Sequence, residues 1–376
     1  MSFFFSRIFT HVQCRLAFLL LFAIASFAHA YDGECGSMTL LENIIKERKL
    51  PGYTYARVQI TNNNAKCSAQ DYYDSVYTIE TSHFQVMYVL TGPHATTKAF
   101  ADSTASSMEA AWNLYVNTLN MRAPQGFKTS YHYKKKVKDG LYPIEIVDIG
   151  QVDGYACNSC YGLTLPPLDN STSSQIFMDN DFFYGASTNP KRDTIFANGD
   201  TCLYSKGYIP LQNKAHNYSY SDKWEKGIRL TSFHELYHAV QLRYLNMSAS
   251  TFWFEASASG FEEITNPDVD DYFAYLPAFF NSIGEPISDN FRNYGAATLF
   301  IYLYQKVSNK IDKSIWENFS KNPQKPFEDQ LETSLASLEL DADSVFHDYA
   351  VRLSFSGSQN KLIKKKDLII TLLNVI

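Results

Sequence analysis

The stretch Thr231-Ser232-Phe233-His234-Glu235-Leu236-Tyr237-His238-Ala239-Val240-Gln241 constrains this chain more than any other. Residues four apart on an α-helix lie one above the other on one face. A helix here aims the imidazoles of His234 and His238 at a single point, the arrangement of an HExxH zinc motif. Glu235 sits one position round the helix, within reach of a water at that point. The chain has nine histidines in 376 residues, so a chance match to the pattern has odds on the order of one in a hundred. The bland alternative is an amphipathic helix whose histidines are satisfied in the core or at the surface. A catalytic zinc takes three protein ligands and keeps one position open. Two histidines therefore leave the site one ligand short.

Geometry points to Glu255 as the third ligand, in Phe252-Trp253-Phe254-Glu255-Ala256-Ser257-Ala258. Asn246-Met247-Ser248-Ala249-Ser250 breaks the apolar pattern and reads as a turn between two helices. His238 lies about as far before that turn as Glu255 lies after it. If the second helix folds back antiparallel, both reach the same height at roughly 1.5 Å per residue. Glu262 and Glu263 are the alternatives. They lie further along the second helix and better suit holding the N–H of a ligand imidazole.

HELYHAVQ followed by WFEASASGFEE resembles the gluzincin metallopeptidases, the HExxH…E branch of zinc peptidases. It looks closest to secreted bacterial metalloproteases of the peptidase-MA-like kind, which pair an HExxHAxQ helix with a WxEGxAxWxE helix and then a YGA helix. The matches are His234 to Gln241, Trp253 to Glu263, and Tyr294-Gly295-Ala296, within a span of about residues 80–350. Ala256 and Ser257 depart from the family's usual Gly-Thr or Gly-Phe after the glutamate. The resemblance implies Zn2+ held by His234, His238 and Glu255, with Glu235 as general base. It also implies a tyrosine or histidine from a later element at the developing oxyanion. Tyr294, at the start of a helix after a turn-like Ser-Asp-Asn run, is the candidate; the alternative is an ordinary packed tyrosine among 26.

The N-terminus reads as an export signal. Arg7 and Arg15 give a positive region, Leu16 to Ala25 a short apolar run, and Ala28-His29-Ala30 a cleavage box. Residues 1–30 are then a signal peptide and the protein is secreted or periplasmic; an uncleaved anchor is the alternative. The run is short for a bilayer span, so no stable membrane span is expected after cleavage. Cys14 leaves with it. Cys35, Cys67, Cys157, Cys160 and Cys202 remain, and in an exported chain they suit two disulfides and one odd thiol. Cys35–Cys67, and one of Cys157/Cys160 to Cys202, are the favoured pairs, although spacing does not fix connectivity. The Cys157-Asn158-Ser159-Cys160 pair could instead be redox-active or zinc-binding, but no second pair has matching spacing. Aromatic content of 15% comes with a net charge of −6 and no basic stripe, which argues against nucleic acid as a partner. The sequons at Asn170, Asn217, Asn246 and Asn318 are expected to stay unmodified. The sequence does not set the oligomeric state.

Residues 31–81 form a polar, Tyr-rich leader, either a prosegment or an N-terminal wrap. Strands are expected over 83–90, 142–149 and 174–179, with a helix over 95–120. An irregular run over 182–220 serves as either a rim beside the site or a solvated insert. The zinc helix starts near Ser221/Asp222. Helices follow over 272–280, 294–307, 315–319 and 343–353. The expected fold is α+β and zincin-like: a small mixed sheet supporting the HExxH helix, then a mostly helical half, in a domain spanning 82–355. The tail 356–376 has no assigned role. The expected function is peptide-bond hydrolysis on a protein or peptide substrate. The competing readings are a binding or adhesion protein on a peptidase-like fold and a zinc hydrolase of a non-peptide bond.

Overall fold

Strands rich in β-branched and aromatic residues line up into one mixed sheet. The computed structural model describes residues 75–91, 94–149, 152, 160–166, 172–182, 191–197, 200–206, 224–245, 251–269, 271–288 and 294–354. The strands are β1 (Val76–Glu80), β2 (Phe84–Val89), β3 (Gln125–Gly126), β4 (Tyr142–Val147), β5 (Gly162–Leu165), β6 (Ser173–Asp179), β7 (Lys191–Ala197) and β8 (Asp200–Lys206). The sheet runs β1-β2-β4-β6-β3, with β5 also on β6. β2, β4, β6 and β3 are parallel, while β1 and β5 are antiparallel to their neighbours. The mixed sheet is as expected. It begins earlier than the sequence suggests, because β1 falls inside the segment assigned to the leader and pairs with β2 along its length. β7 and β8 form a separate hairpin, with Ile195 opposite Cys202. The run 182–220 is therefore not irregular throughout.

Alternation divides the sheet's side chains between two apolar clusters. Phe84, Val86, Tyr142, Ile144, Ile146, Ile176 and Met178 join the larger cluster, shared with the helices. Met87, Val89, Val147, Phe177, Leu163 and Leu165 join the smaller one on the opposite face. Both faces of the central strands are thus covered, which explains their unbroken burial.

The helices are α1 (Lys98–Trp112), α2 (Trp224–Gln241), α3 (Thr251–Thr265), α4 (Leu276–Asn281), α5 (Ala297–Tyr302), α6 (Ile311–Lys321), α7 (Phe327–Ala336) and α8 (Ala342–Ser354). The Thr97 hydroxyl caps α1, accepting from the Phe100 N–H at 3.1 Å. A π-helical turn, Asn113–Thr118, extends α1. It aims the buried Tyr115 at α2, where its hydroxyl donates to the Phe233 carbonyl at 2.9 Å. The mostly helical second half is as expected, with α7 unforeseen. Gly260 lets α3 and α5 pack closely, since a Cβ there would lie 2.1 Å from the Phe300 ring. Among the described residues no helix is long and apolar enough to cross a membrane. Residues 1–30, expected to be an export signal, most of 31–81, Cys35, Cys67, Cys157, the stretch 246–250 expected to be a turn, and residues 356–376 lie outside the described residues.

Candidate metal centre

Helix α2 is buried on almost every side, yet it carries Thr231, Ser232, His234, Glu235, His238 and Gln241 among its buried residues. Buried polar groups are costly unless each has a partner, so the partners of this set define the site.

The imidazoles of His234 and His238 converge as the i, i+4 spacing requires, with their Nε2 atoms 2.9 Å apart. Glu255, buried on α3, brings Oε2 to 3.2 Å from His234 Nε2 and Oε1 to 3.5 Å from His238 Nε2. The three ligands expected from the sequence are therefore together, all buried, with ligand atoms within 4.8 Å of one another.

The outer nitrogens of both rings are engaged. His234 Nδ1 meets Glu262 Oε1 in a short contact. His238 Nδ1 donates to Gln241 Oε1 at 2.7 Å, since an amide oxygen only accepts. Gln241 is fixed in turn by Nε2, which donates to the Phe254 carbonyl at 3.0 Å and to Ser257 Oγ at 2.9 Å. With protons placed on the Nδ1 atoms, the two Nε2 lone pairs face each other and the Glu255 carboxylate. Neither Glu255 oxygen has a hydrogen-bond partner. Burial alone would raise the Glu255 carboxyl, but in the metal-free site the two imidazoles in their protonated form outweigh it and hold the group down at about 2. At Glu262 burial prevails, and its carboxyl is raised despite His234.

Three facing lone-pair donors in a buried space suit a shared cation. Zinc bonds of about 2.0–2.1 Å in a tetrahedron set ligand atoms roughly 3.3 Å apart. The separations of 2.9, 3.2 and 3.5 Å bracket that value. The donor set, two imidazoles and a carboxylate, fits a borderline divalent ion.

Glu235 is held from the sheet. Thr164 Oγ1 on β5 lies 2.7 Å from Glu235 Oε2 and 2.9 Å from the Glu235 main-chain oxygen, so its proton serves both. Strand alternation points Gly162 and Thr164 at α2 while Leu163 and Leu165 enter the smaller cluster. Gly162 makes the approach possible, because a Cβ there would lie 2.5 Å from Glu235 Cγ and from Thr231 Cγ2. This strand was not among those expected from the sequence. Its only signal is the four-residue alternation Gly-Leu-Thr-Leu.

Tyr294 is buried, with its ring stacked on Tyr275 at a centroid distance of 4.5 Å. Of the cysteines, Cys160 is buried in the smaller cluster and disulfide-bonded. Its partner, and with it the expected pairing to Cys202, lies outside the described side chains. Asn318 of α6 donates its side-chain amide to Ser334 at 2.9 Å, so that sequon is used in packing. No family model matches the chain, and no curated protein or solved structure matches it either. The site's chemistry therefore rests on its own geometry.

Proposed function

We propose that the chain is an exported zinc-dependent peptidase acting on protein or peptide substrates. The convergence of His234 Nε2, His238 Nε2 and the Glu255 carboxylate among buried residues, with Glu235 next to His234 on the same helix and its carboxylate held by Thr164, carries this reading. His234, His238 and Glu255 would hold the ion. When bound, zinc supplies the Lewis acidity that activates water and polarises a carbonyl. Glu262 and Gln241 keep the ring protons on Nδ1, so both Nε2 atoms stay available. Glu235 takes a proton from the attacking water and passes it to the leaving amine. Thr164 holds that carboxylate in one rotamer while it does so.

Metal analysis of the purified protein, joined to a peptidase assay, tests the proposal. One zinc per chain is expected, and chelation should abolish hydrolysis. His234→Ala, His238→Ala and Glu255→Ala should each lose zinc. Glu235→Gln should keep zinc while hydrolysis falls by a factor on the order of 10²–10⁴, the usual worth of a positioned general base. Zinc bound without hydrolysis of any peptide would favour the binding-protein reading, and turnover of an ester or glycoside alone would favour the non-peptide hydrolase.

A further inference from the structure

Asp312 is a carboxyl in the wrong place for stability. It lies in the first turn of α6, 2% exposed, in a core built from Trp253, Phe254, Phe300, Trp316 and Phe327. A buried carboxyl is costly unless its oxygens are engaged, so its presence asks what the oxygens do. Asp312 Oδ1 accepts the indole N–H of Trp253 at 3.0 Å. Asp312 Oδ2 meets the Tyr237 hydroxyl in a short hydrogen bond. Both rings are fully buried. Tyr237 lies on α2 between the two histidine ligands and adjoins His238. Trp253 lies on α3 two residues before Glu255. One carboxyl on a third helix therefore grips both ligand-bearing helices, one turn or less from the ligands.

We infer that Asp312 is a positioning residue for the metal centre, setting the separation of α2 and α3 and hence the distance from the histidine nitrogens to Glu255. The inference rests on the metal reading but not on peptidase activity. Apolar packing alone would let the two helices slide or roll, because dispersion contacts are non-directional. Two hydrogen bonds to one rigid group fix both height and rotation. Burial pushes the Asp312 carboxyl well above its usual range, and asparagine copies the shape of its neutral form. In Asp312→Asn the new amide can accept from Trp253 through oxygen and donate to the Tyr237 oxygen through nitrogen.

The test measures metal affinity by chelator competition and the ligand-field absorption of the cobalt-loaded full chain. Asp312→Leu should weaken zinc by about ten- to a hundredfold, the usual effect of losing a group that orients a ligand, and should shift the cobalt bands. Asp312→Asn should restore both affinity and bands. If Asp312→Leu does not fold, Tyr237→Phe carries the test, since it removes only a hydroxyl and should weaken zinc and shift the bands in the same way. Wild-type affinity and unshifted bands in a folded Asp312→Leu or Tyr237→Phe overturn the inference and leave the metal reading intact. Failure of Asp312→Asn to restore the bands also overturns it. A wild-type chain that binds neither zinc nor cobalt overturns the metal reading, and this inference with it.

Discussion

Gly162 has no side chain, and the placement of Glu235 depends on that. The atoms a Cβ would meet, Glu235 Cγ and Thr231 Cγ2 at 2.5 Å each, belong to a helix buried on nearly all sides. Gly162→Ala must therefore push Glu235 off Thr164 or lift β5 from the helix. Overpacking of this kind costs about 1–3 kcal/mol. The expected outcome is a lower melting temperature and hydrolysis reduced far more than zinc affinity, because the three ligands sit on α2 and α3 and not on the strand. A Gly162→Ala chain with full activity would remove Glu235 from the role given to it. His234 and His238 were legible because i, i+4 spacing is a local property of one helix. Glu255 was legible from its distance past the turn. Thr164 was not, because it reaches Glu235 across 71 residues of chain and a lone threonine in a short strand has no sequence signature.

At the scale of elements, α6 shows how a helix can be found while its purpose is missed. Its apolar spacing marks 315–319 as helical, but the helix begins earlier, at Ile311, and a lone acidic residue at Asp312 carries no sign of burial in the sequence. In the fold it is buried, and its titration should be visible in stability. The folded state holds the Asp312 proton above the ordinary carboxyl range, whereas the unfolded chain releases it near pH 3.9. The favourable contribution is complete below that unfolded value and is lost as pH rises through the raised folded one. Asp312→Asn has no proton to lose. Denaturant unfolding of both chains from pH 4 upward should show the wild type losing stability relative to Asp312→Asn as pH rises. Parallel curves would mean the carboxyl titrates normally. β1 was hidden for the opposite reason. Its residues Val76–Glu80 are half exposed at a sheet edge, so no apolar run set them off from the polar leader. α7 repeats Phe327, Leu331 and Leu335 at four-residue spacing, a signal that was present but lay among charged residues.

Across the whole molecule, the groups of the site differ sharply in how far apart they lie along the chain. His234, His238 and Glu255 fall within 22 consecutive residues on two adjacent helices. Thr164 reaches Glu235 over 71 residues, and Asp312 reaches Tyr237 over 75. Contacts between near neighbours close early in folding, and those between distant residues close late. Metal capture and chemical competence should therefore separate in time. A chain refolding from denaturant with zinc present should bury the ion as soon as the α2–α3 hairpin closes, before β5 and α6 dock. Stopped-flow refolding read by a zinc indicator and by substrate turnover should show the ion captured ahead of activity. Simultaneous phases would mean that the hairpin holds no metal until the sheet supports it.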